Sequence, residues 1–427
     1  MRTYIKPSMI ALALVASQAN AAGYQLAEQS ATGLGRAYAG EAAIADNASV
    51  LARNAGAITR LNAPTVSGGV IYLRPDVNIS GQVQDITGTK GANADDIADA
   101  AWIPNLYFVT PINERLSLGL SAASQYGLGI EMPQGYDAGH FGNISDIRTV
   151  DLGMALAYRL SDMLSVGAGL SLVQGEGEVG GTYPTTLTNG QSVIAKHVKG
   201  DGSELGWNAG ILLTPTEQTR IGLSYRNGVN LKLKGDATVS KPVAPGKFVT
   251  INDEGSLVLP LPATSELAFY HALNESLALH ASLSWTDWSK FESLTANLDR
   301  LGTLPIKEEH WEDSWRYSLG MTYQLAPKWQ LRSGLAYDQS PVPADRRTIS
   351  IPDADRIWYS AGLGYHYSDA LSVDLGLTFI DGKRVSVHES LSQPVVINGQ
   401  PMTYRSDFNG YSEGDAWLAG VQASYRF

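Results

Sequence analysis

Histidine and serine side chains that lie close together in the sequence are the first place to look for catalytic chemistry. His280, Ser282 and Ser284 form the nearest such group, and a serine hydrolase needs a histidine base oriented by an acid beside its serine. Neither a G-x-S-x-G motif nor a positioned acid accompanies them. The 7 histidines are scattered, without paired ligand spacing. We therefore predict no enzyme activity, no metal and no cofactor.

The overall composition narrows the class of protein further. The 427 residues include 31 Lys and Arg against 42 Asp and Glu, a formal net charge of -11, with no basic run. Nucleic-acid binding needs a concentrated Lys/Arg surface, so we expect no such partner. Only 17% of the residues are charged, and the chain has 44 Gly and 20 Tyr. This composition favours one large β architecture over a small soluble domain.

The first residues have the features of a secretory signal. Arg2 and Lys6 precede an apolar stretch at 9–16, and an A-x-A cleavage site follows at 19–21. The apolar stretch is too short to cross a bilayer as a helix. We predict a signal peptide at residues 1–21 and export of the mature chain.

Side chains that could bind a ligand must be positioned by strands, because from Pro64 onward large apolar residues alternate with small or polar ones. The clearest stretches are 150–160, 277–285, 315–325 and 371–379. Alternation also suits a soluble sandwich. However, Trp and Tyr lie mostly near the ends of these stretches, as in the interfacial girdles of membrane barrels.

The strand count and the connections favour the same architecture. We count about fourteen strands, an even number as expected for a bacterial barrel. Short segments rich in turn-forming residues alternate with long ones such as 175–203 and 234–255, as expected for tight periplasmic turns and long outer loops. The predicted strands are 65–78, 101–110, 115–126, 147–160, 164–174, 204–213, 220–233, 256–272, 277–294, 311–325, 329–339, 356–367, 371–381 and 414–427.

The predicted fold is therefore all-β, a transmembrane antiparallel β-barrel over residues 62–427. Strands in hydrocarbon must close into a barrel, because each unpaired backbone group costs several kcal/mol there. Residues 22–61 lack the two-residue period and are rich in Gly, Ala and Ser. We interpret them as an N-terminal hatch, or plug, inside the lumen. The aromatic face that ends at Phe427 resembles the assembly signal of outer-membrane proteins.

Eight ordered segments of the mature chain match one known family. They comprise residues 22–26, 33–41, 44–48, 102–105, 126–128, 206–212, 340–344 and 351–356. Together they resemble the FadL family of outer-membrane long-chain fatty acid transporters. Three of the matches lie in the family's hatch, and the others follow through the barrel almost to its end. Long ordered matches of this kind are far more specific than a lone motif.

The resemblance implies a barrel of fourteen strands, an outer groove, a deeper pocket and a lateral opening at a kinked third strand. The kink would fall at Tyr126, Gly127 and Gly129, although these glycines would also suit a plain strand end. Val193 and Phe248 would contact ligand in the groove, or simply pack the loops together. The hatch residues that the resemblance marks are Tyr24, Gly33, Gly35 and Asn54.

Two departures from the family pattern bear on the pocket. The family's Asn-Pro-Ala is Asn54-Ala55-Gly56 here, which removes a rigid φ and would loosen that turn. Glu176 and Glu312 align with positions that are basic in family members. Arg316, Arg346, Arg347 and Arg356 then remain as candidates to pair with a ligand carboxylate, or with nearby aspartates.

The expected function is passive uptake of hydrophobic molecules, above all long-chain fatty acids, across the Gram-negative outer membrane. The expected partners are that ligand, outer-membrane lipid and lipopolysaccharide, and the barrel-assembly machinery. Uptake of aromatic or other hydrocarbons by the same route is one alternative. An open porin for hydrophilic solutes is another, and a plugged lumen would argue against it.

Overall fold

A computed structural model describes residues 23–244, 246–397 and 400–427. The predicted signal peptide, residues 1–21, lies outside the described residues. Among the described residues, no helix has both the length and the apolar character that a membrane span requires.

Fourteen antiparallel strands form a closed ring. Each pairs with its neighbour along the chain, and the ring closes because β1 pairs with both β3 and β21, with Thr65 opposite Val109 on one side and Arg426 on the other. The predicted barrel of about fourteen strands is confirmed. The wall strands, numbered in chain order among all strands, are β1 (Thr65–Asp85), β3 (Ala101–Pro111), β4 (Leu116–Ala123), β6 (Ile144–Arg159), β7 (Leu164–Thr182), β8 (Ile194–Leu213), β9 (Thr219–Arg226), β12 (Thr264–Ala272), β13 (Leu277–Thr286), β16 (Ser314–Ala326), β17 (Trp329–Asp338), β18 (Arg356–His366), β19 (Leu371–Gly382) and β21 (Gln400–Arg426).

Seven further strands extend the sheet on the side of the long connections. They are β2 (Gly88–Gly91), β5 (Gly127–Glu131), β10 (Val229–Ala244), β11 (Lys247–Leu261), β14 (Ser293–Leu298), β15 (Gly302–Glu308) and β20 (Val385–Ile397). The segments 175–203 and 234–255, predicted as loops, are largely strand. The prediction was wrong because outside the lipid no apolar outer face is needed, so the backbone pairing continues after the alternating pattern has ended.

The wall turns its large apolar side chains outward. Leu152, Met154 and Leu156 are 46%, 53% and 49% exposed, whereas Asp151 and Ala155 on the opposite face of the strand are buried. A water-soluble protein rarely exposes so continuous an apolar surface, whereas lipid covers it in a membrane. The outward face therefore meets hydrocarbon.

Residues 23–61, here called the N-terminal segment, lie within the ring. The segment contains α1 (Ala31–Leu34), α2 (Glu41–Ile44) and 3-10 turns at Ala48–Ala52 and Ala55–Arg60. Outside the segment, a further 3-10 turn at Trp288–Lys290 follows β13. A Cβ on Gly167 of β7 would lie 2.5 Å from the Ala55 carbonyl carbon, and one on Gly35 would lie 2.7 Å from Gly362 of β18. Because β7 and β18 are well separated around the ring, the segment crosses the lumen.

Candidate functional site

The third wall strand is interrupted. β4 ends at Ala123 and β5 begins at Gly127, and both pair with β6, but β3 follows this strand only as far as Ala122. We call residues 124–126 the strand break. Of the predicted kink residues, Tyr126 lies in the break, Gly127 opens β5 and Gly129 lies within it.

The N-terminal segment covers the open edge of the break. The Leu26 N–H donates to the Gln125 carbonyl at 2.8 Å, and the Gly127 N–H donates to the Tyr24 carbonyl at 2.9 Å. Backbone groups at an interrupted strand need such partners, because in lipid no water would replace them. The gap in the wall is therefore closed by residues that belong to no wall strand.

A buried aromatic cluster lies behind this contact. The Tyr24 ring lies 4.6 Å from Trp288, 5.5 Å from Phe291 and 5.9 Å from Trp311 between centroids, and 6.3 Å from Tyr126. Tyr24 and Tyr126 were predicted to have different roles, and the structure brings them together. The other three rings were not predicted as site residues, because the strands predicted at 277–294 and 311–325 include them.

An apolar cavity of about 50 Å³ lies next to the cluster, on the side of the long connections. Phe291 contributes to both the cluster and the cavity wall, and Leu128 reaches the cavity from β5 just beyond the break. The other apolar lining residues are Ile147, Val179, Val198, Leu233, Leu257, Leu259, Leu294 and Ile351.

Two lysines lie at the edge of this apolar region. Lys307 pairs across strands with Leu294, which lines the cavity, and its ammonium group donates to the Ser350 hydroxyl. The Lys307 Nζ also lies 3.5 Å from Glu389 Oε1, and the Lys196 Nζ donates to the Ile306 carbonyl at 2.6 Å. Burial raises the pKa of Glu389, although the Lys307 ammonium opposes this. The charges here are thus held in a poorly hydrated place.

The comparisons with known proteins agree with this geometry. The sequence model of the family described as "Outer membrane protein transport protein (OMPP1/FadL/TodX)" matches residues 12–427. The chain belongs to this family. The "Long-chain fatty acid transport protein" of Escherichia coli is 40% identical over 98% of this chain and 97% of its own. The predicted outer-membrane location and the prediction of a transporter rather than an enzyme are both confirmed.

Solved structures of family members share the fold. A crystal structure of a Pseudomonas aeruginosa FadL homologue superposes with a TM-score of 0.82 at 24% identity, covering 95% of this chain and 100% of its own. The Pseudomonas putida toluene transporter TodX gives a TM-score of 0.68 at 18% identity, covering 96% and 99%. At these identities the likeness extends to the architecture alone.

The arginines singled out within this FadL-type barrel occupy three different settings. Arg316 lies 4.1 Å over the Trp358 ring and donates to the Ala37 carbonyl at 3.3 Å, so it contacts the N-terminal segment. Arg356 is buried in an ion pair with Asp353. Arg346 is exposed, 3.8 Å from Asp345. None of the three lines the apolar cavity.

Arg316 instead lines a small polar cavity of about 70 Å³ between the N-terminal segment and the wall. Arg53, Gln125, Glu266 and Asp338 line it too. Each water occupies about 30 Å³ in the liquid, so this space suits a few waters rather than an acyl chain. It brings Arg316 to the strand break, because Gln125 belongs to both.

The aligned acids lie away from the apolar cavity, and the groove residues are joined through a third side chain. Glu176 and Glu312 are exposed and lie outside the apolar cavity. Their substitution does not leave the cavity without a cation, because Lys199 lines it and pairs with Glu178 at 2.8 Å. Val193 and Phe248 meet through Tyr183, whose N–H donates to the Val193 carbonyl at 2.7 Å and whose ring lies 4.7 Å from Phe248.

The hatch residues make specific contacts. The Asn54 amide donates to the carbonyls of Ala42 at 2.7 Å and Ile211 at 2.9 Å, and its oxygen accepts the Gly56 N–H at 2.9 Å. These three bonds hold the turn that was expected to loosen without proline. The Gly33 N–H donates to the Ser30 hydroxyl at 2.9 Å at the start of α1.

The histidine and serines considered for catalysis do not form a catalytic group. The His280 Nε2 lies 2.9 Å from the Thr322 hydroxyl, and the Ser282 hydroxyl donates to Glu266 at 2.7 Å. Within the described ranges, no group of three or more His, Cys, Asp or Glu side chains could hold a metal ion.

Proposed function

We propose that this protein takes up long-chain fatty acids, with the acyl chain in the apolar cavity and the carboxylate at Lys307. The observation that carries the proposal is the half-buried Lys307, which lies across the β14–β15 pair from Leu294, a residue of a cavity lined mainly by apolar side chains. The full-length relative of Escherichia coli with that name supports the same ligand class. Val193 and Phe248 would offer a first apolar contact on the outer strands.

The energetics favour graded binding. Burying an acyl chain stabilises it by about 0.8 kcal/mol per CH₂. A cavity of about 50 Å³ is much smaller than a long acyl chain, so the apolar side chains must separate for the ligand to enter. A ligand carboxylate would replace Glu389 beside Lys307, and the raised pKa of Glu389 makes that acid easier to neutralise.

The proposed exit is lateral, through the strand break. The N-terminal segment covers the gap with the backbone of Tyr24 to Leu26 and with the Gln29 amide, which donates to the Gln125 side chain at 3.1 Å, so a movement of the segment would expose the gap. The same movement would disturb Tyr24 in the aromatic cluster beside the cavity. We infer that release of ligand and opening of the wall are coupled through Tyr24.

The remaining partners follow from the outer surface. Outer-membrane lipid and lipopolysaccharide would cover the apolar band of the wall. Phe427, which follows the last strand and is 70% exposed, would be bound by the barrel-assembly machinery.

Replacing Lys307 by methionine tests the ligand assignment. We expect K307M to weaken oleate binding about tenfold, which corresponds to about 1.4 kcal/mol, while binding of the uncharged oleyl alcohol is unchanged. Binding of both labelled ligands to the purified barrel in detergent is the measurement.

The control variant is K241M, which removes an exposed lysine from β10 on the same outer extension. It should leave both affinities unchanged. Equal losses for oleate and oleyl alcohol in K307M would mean that Lys307 only shapes the cavity. An unchanged oleate affinity, with toluene bound as tightly, would favour hydrocarbon uptake instead.

A further inference from the structure

A second cavity, of about 310 Å³, lies at the opposite end of the barrel. Its lining comes from the ends of strands that meet at the short turns, including Arg220 near the start of β9, His366 at the end of β18 and Arg426 at the end of β21. Short turns face the periplasm in barrels of this kind. We call this space the mouth cavity; its remaining charged or imidazole residues are Arg36, Asp46, Arg60, His280, Arg332 and Asp374.

The charges around the mouth cavity do not balance. Arg36 is neutralised by Glu41 and Asp46, each at 2.8 Å, and Arg332 by Asp374. Arg60, Arg220 and Arg426 form no ion pair with any described carboxylate. Like charges gathered at one cavity repel one another, so an anion bound there would stabilise the cluster.

Buried polar atoms in the same lining, three of them guanidinium donors, also lack hydrogen-bond partners. The Nε atoms of Arg36, Arg220 and Arg332, and the Nδ1 of His280, have no hydrogen-bond partner among the described residues. All four side chains are more than nine-tenths buried. An unsatisfied buried polar group costs about 1–3 kcal/mol, and such groups point to an unseen water or ion.

Arg220 is the residue best placed to hold a ligand. It lies 3.7 Å over the Tyr270 ring and donates one Nη to the Ile44 carbonyl at 2.8 Å, which fixes the guanidinium plane. A fixed guanidinium presents paired donors that match the oxygens of a carboxylate or a phosphate. We propose that the mouth cavity is an anion site for a carboxylate or phosphate group, centred on Arg220 with Arg60 and Arg426 at its rim.

The site is independent of the proposed fatty acid site, which lies on the other side of the N-terminal segment. Its ligand would come either from the periplasm, as free or lipid-bound phosphate, or from the carboxylate of a transported molecule. Both present the same chemistry to the arginines.

Inorganic phosphate and the purified full chain in detergent provide the test. Phosphorus NMR line broadening should show saturable phosphate binding, and R60Q/R426Q should raise the dissociation constant at least fivefold. Both replaced side chains are exposed, so this variant should fold. R220Q should abolish binding, and if it does not fold, the double variant still decides.

The matched control is R115Q/K328Q, which removes two exposed charges at the same face outside the mouth cavity. It should change the dissociation constant less than twofold. Equal weakening in both double variants, or no saturable binding to the unmodified chain, would overturn the site.

Octanoate identifies the source of the anion. Displacement of phosphate by octanoate supports a carboxylate as the ligand. Lack of displacement overturns the carboxylate assignment and supports a phosphate group. K307M should retain phosphate binding, so failure of the fatty acid assignment and failure of the mouth site remain distinguishable.

Discussion

Tyr24 joins parts of the site that lie far apart in the chain. Its ring packs against Trp288 and Phe291, its hydroxyl donates to the Pro260 carbonyl, and its own carbonyl accepts from Gly127. Edge-to-face aromatic pairs contribute about 0.5–1.5 kcal/mol each beyond their buried area. One residue of the N-terminal segment thus contacts the cavity wall with its ring and the edge of the strand break with its backbone.

Lys307 could not be predicted as a site residue from its local sequence. The arginines were candidates to pair with a ligand carboxylate or with nearby aspartates, and two of them, Arg346 and Arg356, pair with such aspartates. Lys307 is brought to the apolar region by the pairing of β14 with β15, in a stretch with no alternating pattern. Nothing in its local sequence distinguishes it from a solvated lysine.

His140 makes the outer loops sensitive to acid. Its Nε2 lies 2.8 Å from the Ser406 hydroxyl, and burial lowers its pKa to about 4, with Asp85 and Asp137 acting in the opposite direction. The unfolded imidazole titrates near 6.5. Protonation of His140 therefore favours the locally unfolded loops. The contribution of neutral His140 to loop stability is fully present above pH 6.5 and is lost as the pH falls towards 4, by up to about 3 kcal/mol.

Hydrogen exchange of the amides at 136–143 measures this effect. After correction for the intrinsic pH dependence of exchange, we expect these amides to be less protected at pH 4.5 than at pH 7. H140Q should remove most of this difference in protection. H388Q, which removes an exposed histidine on β20, should not. Identical profiles for H140Q and the unmodified chain would assign the acid sensitivity to other groups.

The elements divide into those that lipid constrains and those that it does not. Within the bilayer, β6, β13, β16 and β19 follow the alternating stretches, because an apolar outer face and a polar inner face are both required. Beyond it, β10 and β11 continue as a hairpin that buries Leu231, Leu233, Leu257 and Leu259 and leaves Lys232, Lys234 and Asp236 exposed. The wall could therefore be predicted from the sequence, but the outer strands that build the cavity could not.

The N-terminal segment is held in a strained shape by its surroundings. Ala37, Tyr38 and Ala45 adopt positive φ angles of 50°, 57° and 52°. Left-handed backbone at residues other than glycine costs about 1–3 kcal/mol each and persists where neighbours impose it. Such a segment is suited to change shape when contacts with the wall are lost.

A disulfide between the segment and the wall tests whether it must move. A Cβ on Gly320 of β16 would lie 3.1 Å from the Ala39 Cβ, slightly below the usual range of about 3.5–4.5 Å. We expect oxidised A39C/G320C to abolish oleate uptake into cells while oleate binding to the outer strands persists. Reduction should restore uptake, and G320C alone controls for crowding. Normal uptake after complete oxidation would exclude movement of this part of the segment.

At the scale of the whole molecule, the wall is wide but the lumen is filled. The N-terminal segment contacts strands on opposite sides of the ring, and most of its side chains are buried. Barrels only slightly larger leave an aqueous channel when nothing fills them. The filled lumen therefore argues against an open porin.

Single-channel recording in planar bilayers provides the measurement. We expect the unmodified chain to show little or no steady conductance, and a variant lacking residues 23–61 to conduct like a wide pore. The shift in gel mobility on heating verifies that each barrel is folded. Large conductance from the unmodified chain would contradict the filled lumen.

The seam of the ring joins the first wall strand to the last, from Thr65 opposite Arg426 to Asp85 opposite Ser406. Until β21 pairs with β1, the backbone N–H and C=O groups along both edges of the seam are unpaired, which hydrocarbon does not tolerate. Biogenesis must therefore hold an unfinished sheet while the remaining strands are added. Residues 23–61 enter the periplasm ahead of every strand and are enclosed only when the final one docks, so any change that delays the last hairpin would also leave them outside.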